Sequence, residues 1–288
     1  MASTNTLEVL NQHHTTLYID GTFKVAPKHF RQLWIVCGHV CGSTDATPLA
    51  YFLLEDQQTS SYSKCLEILK ENCPRLNVDT VICDFEQAEH GAIKQHFPDA
   101  DIRGCLFHWK QAVRRRLMKL PDYPSDPVIK VELETLFGLA FVPVEDVLTA
   151  WDLLKSQMSP STTAAADAFL QYFQSTWILS AVYPIKMWNM HQTVIDGGPR
   201  TNNHSEGNNN ALARFIGCSN PCGGLLAEAL TQFNEQAEIH IEHCLTGTVS
   251  GARKRKKYRD NDDRIKKAIT NYGLVGTALY CRSLSRLD

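Results

Sequence analysis

Thr16-Leu-Tyr-Ile-Asp-Gly-Thr-Phe-Lys24 is a short apolar run that ends on a carboxylate. Leu17 and Ile19 alternate with Tyr18, a strand pattern, and Asp20 arrives at the strand's end with Gly21 behind it. A carboxylate in that position is costly unless something satisfies it, either a turn N–H or a metal ion. Gly21 leaves room for another backbone or a ligand to come close. Alone, Asp-Gly-Thr reads equally well as a turn. The same device recurs at Thr80-Val-Ile-Cys-Asp-Phe85, where a compact apolar strand again finishes on an aspartate.

Around these two stretches the pattern predicts an α/β fold. Three strands, Leu17–Val25, Leu33–Val40 and Leu49–Leu54, are separated by Pro27, Gly38, Gly42 and Pro48 and form a meander. A helix over Ser60–Cys73 follows, with Cys65, Leu66 and Leu69 on one face. After strand Thr80–Phe85 come a helix over Glu86–Phe97, a fifth strand over Ile102–Phe107, and a basic amphipathic helix over His108–Leu120. That order gives a mixed five-stranded sheet flanked by helices. Its first and fourth strands can lie parallel and adjacent, which would bring Asp20 and Asp84 together at one edge.

From residue 121 to 199 apolar residues recur only at helical spacing, as in Leu133, Leu136, Phe137 and Ala140, or Phe169, Leu170 and Phe173. An all-helical insertion is expected there, with its aromatics as core. Gly197-Gly198-Pro199 ends it, and a new helix runs from Arg200 to Ile216, capped by Asn203 or Ser205. Leu225–Cys244 is a longer helix. The expected organisation is a disordered 1–14, a first core segment 15–120, the insertion 121–199, a second core segment 200–245, and a basic linker and peripheral tail 246–288.

The chain has 288 residues, 43% hydrophobic, with a formal charge of −2. That is enough apolar chain for a sizeable core and argues against a uniformly basic coat for nucleic acid. No apolar run approaches the roughly 20 residues needed to cross a bilayer, and no signal-peptide pattern opens the chain, so an intracellular protein is expected. The ten cysteines are scattered through apolar segments and read as reduced, buried side chains. Charge is uneven: Arg114-Arg115-Arg116 and Arg253-Lys-Arg-Lys-Lys-Tyr-Arg259 are local basic blocks.

Two neighbouring carboxylates repel and raise each other's pKa unless cations hold them ionised. Magnesium suits them, being hard and bound by few carboxylates plus water and phosphate oxygens. A third carboxylate on a nearby helix would complete a two-metal site for in-line displacement at a phosphodiester, and Glu206 is the candidate.

Four motifs together resemble a Mutator-like element (MULE) transposase: Asp20-Gly-Thr-Phe-Lys24 with Ala26-Pro27, Cys83-Asp-Phe-Glu-Gln-Ala88, Gly104-Cys-Leu-Phe-His-Trp109, and Arg200-Thr-Asn-Asn203 through Glu206-Gly207. The resemblance spans residues 15–245. It implies a ribonuclease-H-like core with an Asp-Asp-Glu triad formed by Asp20, Asp84 and Glu206, holding two Mg²⁺ or Mn²⁺ ions. It also implies strand cleavage and strand transfer on DNA, at transposon ends and target, in the nucleus, by a protein that can act as a homo-oligomer. Cys105 and His108 match the family's Cys-x-x-His motif and, by that comparison, shape the site and hold the transposon end. Burial on the fifth strand is the alternative for Cys105. Arg114, Arg115, Arg200, Asn202 and Asn203 are further candidate DNA contacts; a solvated helix face accounts equally for the arginine run.

Zinc is not expected. Cys105 and His108 lack a second ligand pair just beyond them, and Cys218-x-x-x-Cys222 with His240 and His243 has spacing unusual for a finger. Arg253–Arg259 reads as a nuclear localisation signal, a phosphate patch or a flexible linker. Met1 stands 19 residues before Asp20, leaving no length for a separate DNA-binding module ahead of the core. A truncated copy, a domesticated descendant or a partial gene model would each account for that. The competing functions are a catalytically silent, domesticated DNA-binding or regulatory protein, and a nuclease for RNA–DNA hybrids on the same core.

Overall fold

The structure is a computed structural model that describes residues 1–12, 16–40, 43, 46–123, 125–248 and 256–287, with the side chains of 203, 204 and 256–258 outside that description. The chain divides into two compact units, residues 1–103 with 202–253, and residues 104–201 with 254–288.

The first unit opens with a helix rather than a disordered arm. In α1 (Thr4–Asn11) the Ser3 hydroxyl accepts the Thr6 N–H while Thr6 Oγ1 accepts from the Ser3 N–H, a reciprocal cap that the polar composition of the segment had hidden. Val9 and Leu10 give it a buried face.

The sheet consists of β1 (Thr16–Thr22), β2 (Gln32–His39), β3 (Ala46–Leu54), β4 (Thr80–Cys83) and β5 (Asp101–Gly104), in the order β3-β2-β1-β4-β5. β1 runs antiparallel to β2 and parallel to β4, the adjacency that the strand order allowed. The β2–β3 ladder slips by one residue between Val36 and Cys37, beside Pro48. Pro48 lacks an N–H and β3 is an edge strand, where such a bulge costs least.

Helices cover both faces of the sheet. Tyr18, Ile35, Cys37, Tyr51 and Ile82 pack against Leu212, Ile216, Leu226, Ala229 and Leu230. On the other face, Trp34 meets Phe52 of β3 and Tyr62 of α2 (Thr59–Asn72), which packs on α3 (Gln87–His96). Because both faces are covered, Tyr18 is as buried as Leu17 and Ile19, so the in–out alternation expected of β1 is lost.

The second unit is all helical in its described residues. It starts at α4 (Leu106–Leu117), two residues earlier than expected: β5 stops at Gly104, Cys105 stays extended, and the Leu106 N–H reaches the Arg200 carbonyl. It continues through α5 (Pro127–Thr135), α6 (Val147–Ser156), α7 (Pro160–Phe173), α8 (Ile185–Trp188) and α9 (His191–Ile195). Asp126 and Ser159 cap α5 and α7, each with proline at the first helical position. The core is aromatic. Trp109 stacks on Trp188 at 5.0 Å and presents edges to Phe137, Phe173 and Trp177.

The chain returns to the first unit as α10 (Asn203–Ile216) and α11 (Gly223–Leu245), then to the second as α12 (Lys256–Ile269) and α13 (Thr277–Ser285). The expectation of a peripheral tail is therefore corrected. Ile265, Ile269, Tyr280, Cys281 and Leu284 are all buried, and the Tyr280 hydroxyl donates to the Phe141 carbonyl at 2.7 Å. A Cβ at Gly138 would lie 2.2 Å from the Cys281 carbonyl oxygen, so α13 sits directly on the backbone of the 3-10 turn at Leu136–Phe141. No helix among the described residues is long and apolar enough to cross a membrane.

Candidate active site

Pairing between β1 and β4 matches Thr16 with Thr80, Leu17 with Val81 and Tyr18 with Ile82. Asp20 lies within β1, two residues past the last paired position, and Asp84 follows directly on the end of β4 at Cys83. Period-two alternation puts Asp20 on the face of β1 that carries Tyr18, beneath α10 and α11. Asp20 is 6% exposed.

α10 is tied to this edge by its asparagines. Asn202, fully buried, donates to the Ile19 carbonyl at 2.9 Å; Asn208 donates to Ala46 O at 3.3 Å; Asn209 donates to Asp20 Oδ2 at 2.5 Å. Glu206 stands in the first turn of α10, three residues before Asn209. Residues i and i+3 share a helix face with Cβ atoms about 5–6 Å apart, so Glu206 shares the face of α10 that carries Asn209. Asn208 and Asn209 were not singled out from the sequence. Their signal was nevertheless present, since a run of asparagines is a poor choice inside a helix unless the amides are used.

Two further acids come in from the other face of the sheet. Glu89, 4% exposed, accepts the Trp34 indole N–H at 2.6 Å. Burial pushes its pKa well above the ordinary carboxylate range; the Trp34 bond opposes that rise, and the charges of Asp84, Glu86 and Asp20 add to it. Glu86 accepts from the Tyr62 hydroxyl at 2.8 Å and from Gln57 Nε2 at 2.8 Å. His90 is held neutral-leaning by burial, and its ring N–H donates to the Asp84 carbonyl at 2.6 Å, fixing the backbone that carries the aspartate. The space expected at Gly21 is taken by the Gln32 carboxamide, which donates in turn to Tyr62.

The remaining predicted contacts divide between the units. Cys105, fully buried, and His108, half-buried, belong to the second unit, with Sγ and a ring nitrogen within 4.8 Å of each other. Arg114 and Arg115 are exposed there, Arg114 lying over the Phe137 ring at 5.5 Å. Arg200 is engaged in an ion pair with Asp262 at 2.5 Å, a partner supplied by α12 that the sequence did not suggest. The side chain of Asn203 lies outside the described residues, as do Cys41 and residues 253–255 of the basic block. Cys218 and Cys222 are exposed, and among the described residues no group of three ligating atoms gathers around them. His240 instead faces Cys244 Sγ and Ser43 Oγ, each at 3.5 Å.

The family model of the MULE transposase domain matches residues 16–112. Over that segment the chain is similar to a MULE transposase domain. The MULE match takes in β1 to β5 and most of α4, and with them Asp20, Asp84, Cys105 and His108; Glu206 lies beyond it. It ties the chain to transposase-related function, with DNA as the implied partner. No curated protein matches the chain.

Proposed function

We propose that the chain is the ribonuclease-H-like core of a DDE-type transposase, cleaving and joining DNA strands with two Mg²⁺ or Mn²⁺ ions held by Asp20, Asp84 and Glu206. The observation that carries the reading is the parallel β1–β4 pairing together with the Asn209–Asp20 bond, which supports a site where β1 and β4 end and α10 begins. The donor set fits a hard divalent cation, since all its ligands are carboxylate oxygens. Bound there, such ions would supply an activated water or 3′-hydroxyl and stabilise the leaving oxygen.

The chain's own residues position and shield. Asn209 holds Oδ2 of Asp20 and so orients its carboxylate. Asn202 fixes the start of α10, the turn that carries Glu206, to the main chain of β1 through a buried hydrogen bond. His90 fixes the turn that carries Asp84, and Glu86 is restrained by Tyr62 and Gln57. The family comparison gives Cys105 and His108 a share in holding the transposon end, and Arg114 and Arg115 phosphate contacts. The nucleus is the corresponding compartment.

The test is nicking of a duplex carrying a transposon-end-like terminus, with Mg²⁺ or Mn²⁺. Wild type is expected to nick, and Asp84→Asn to lose at least about 100-fold, the scale of a lost electrostatic stabiliser. Equal rates would remove the reading. Metal-independent DNA binding without nicking would select the silent, domesticated alternative.

A further inference from the structure

Outside the acidic edge, the first unit has an open cleft of about 460 Å³ at the far end of α10, lined by Lys24, Asn210, Arg214, Cys218 and Ser219. We propose that this cleft is a subsite for the sugar–phosphate backbone of a nucleic-acid strand whose scissile phosphate lies at Asp20, Asp84 and Glu206. It deepens the transposase reading and rests on it.

Charge is the first ground. Lys24 and Arg214 are exposed, and neither has an ion-pair partner among the described residues. The cleft lining contains no carboxylate. The carbonyl end of α10 opens nearby and contributes about half a negative charge, which two full positive charges outweigh. Asn210 and Ser219 add neutral hydrogen-bond donors suited to phosphate oxygens.

Position is the second ground. Lys24 lies four residues beyond Asp20, and its carbonyl accepts the Asn220 N–H at 3.0 Å, which ties the strand's exit to the loop after α10. Glu206, Asn210 and Arg214 follow each other at four-residue steps along one ridge of α10. Eight residues at 1.5 Å each put Arg214 about 12 Å from Glu206, the reach of a few nucleotides of one strand. Phe23 and Phe215, sequence neighbours of the two cations, are about half exposed, as expected where bases stack beside a basic track.

Cys218 gives the cleft its own reporter, since its thiol is exposed among the lining residues. In full-length Cys222→Ser protein, alkylation of Cys218 by iodoacetamide is followed by mass spectrometry with and without a single-stranded oligonucleotide. The expected result is slower alkylation with DNA present. In parallel, the Lys24→Gln/Arg214→Gln variant should lower the slope of log affinity against log salt by about 1.4, two contacts at about 0.7 each for a single strand. Unchanged alkylation would overturn the proposal, even were the double variant to misfold. So would equal protection by pyrophosphate, which would reduce the cleft to a plain anion site. Nicking that proceeds while Cys218 stays unprotected sinks the subsite and leaves the transposase reading standing. Protection without any metal-dependent nicking sinks that reading and keeps the cleft as a nucleic-acid site.

Discussion

Glu89 shows what a single residue can conceal. A glutamate in the first turn of a helix reads as a solvated partner of the helix dipole, and nothing local says otherwise. Its burial depends on Trp34, 55 residues earlier in the chain. Its consequence is a pH dependence whose sign can be worked out. The folded protein keeps a proton that the unfolded chain releases near pH 4.3, so stability is lost as pH rises from about 4.3 through the raised folded value. Glu89→Gln keeps an acceptor for the indole and cannot ionise. With chelator present, it should unfold at higher urea than wild type at pH 8, the gap closing towards pH 5. Trp34→Phe removes the donor instead and should cost about 1–3 kcal/mol in the same assay. Asp20 and Asp84, by contrast, were legible because a charged residue closing an apolar strand is anomalous by itself, and the anomaly occurs twice.

At the scale of elements, the strands and the helices α2, α3, α10 and α11 follow from apolar periodicity, while the C-terminal helices do not. α12 is so rich in charge that it reads as a linker, yet Ile265 and Ile269, four apart, are enough to bury one stripe. α13 is hidden for another reason: its seat is a glycine, and a sequence does not say what a glycine faces. Gly138→Ala tests that seat. The added methyl meets the Cys281 main chain, which cannot rotate away, so a loss of about 1–3 kcal/mol or more is expected in chemical denaturation. The cap on α1 makes a milder prediction. Ser3→Ala should cost about 1 kcal/mol and raise amide exchange across Thr4–Asn11, leaving exchange in the second unit unchanged.

At the scale of the whole molecule, the acids of the first unit repel one another in the absence of cations, so the proposed ligand set makes stability depend on metal. Mg²⁺ at about 100 times its dissociation constant should add about 2.7 kcal/mol to the first unit. A rise in melting temperature is expected for wild type, and none for Asp20→Asn or Asp84→Asn. An equal rise in all three would place the cation elsewhere.

The first unit is built from two separated stretches, residues 1–103 and 202–253, with 98 residues made in between. On a ribosome adding about 5–20 residues per second, the β-sheet waits about 5–20 s for the helices that cover Tyr18, Ile35 and Tyr51. During that interval a nascent chain presents a bare apolar sheet face, a natural client for a chaperone. Heterologous synthesis should therefore yield more soluble protein when translation through codons 104–201 is fast than when it is slowed.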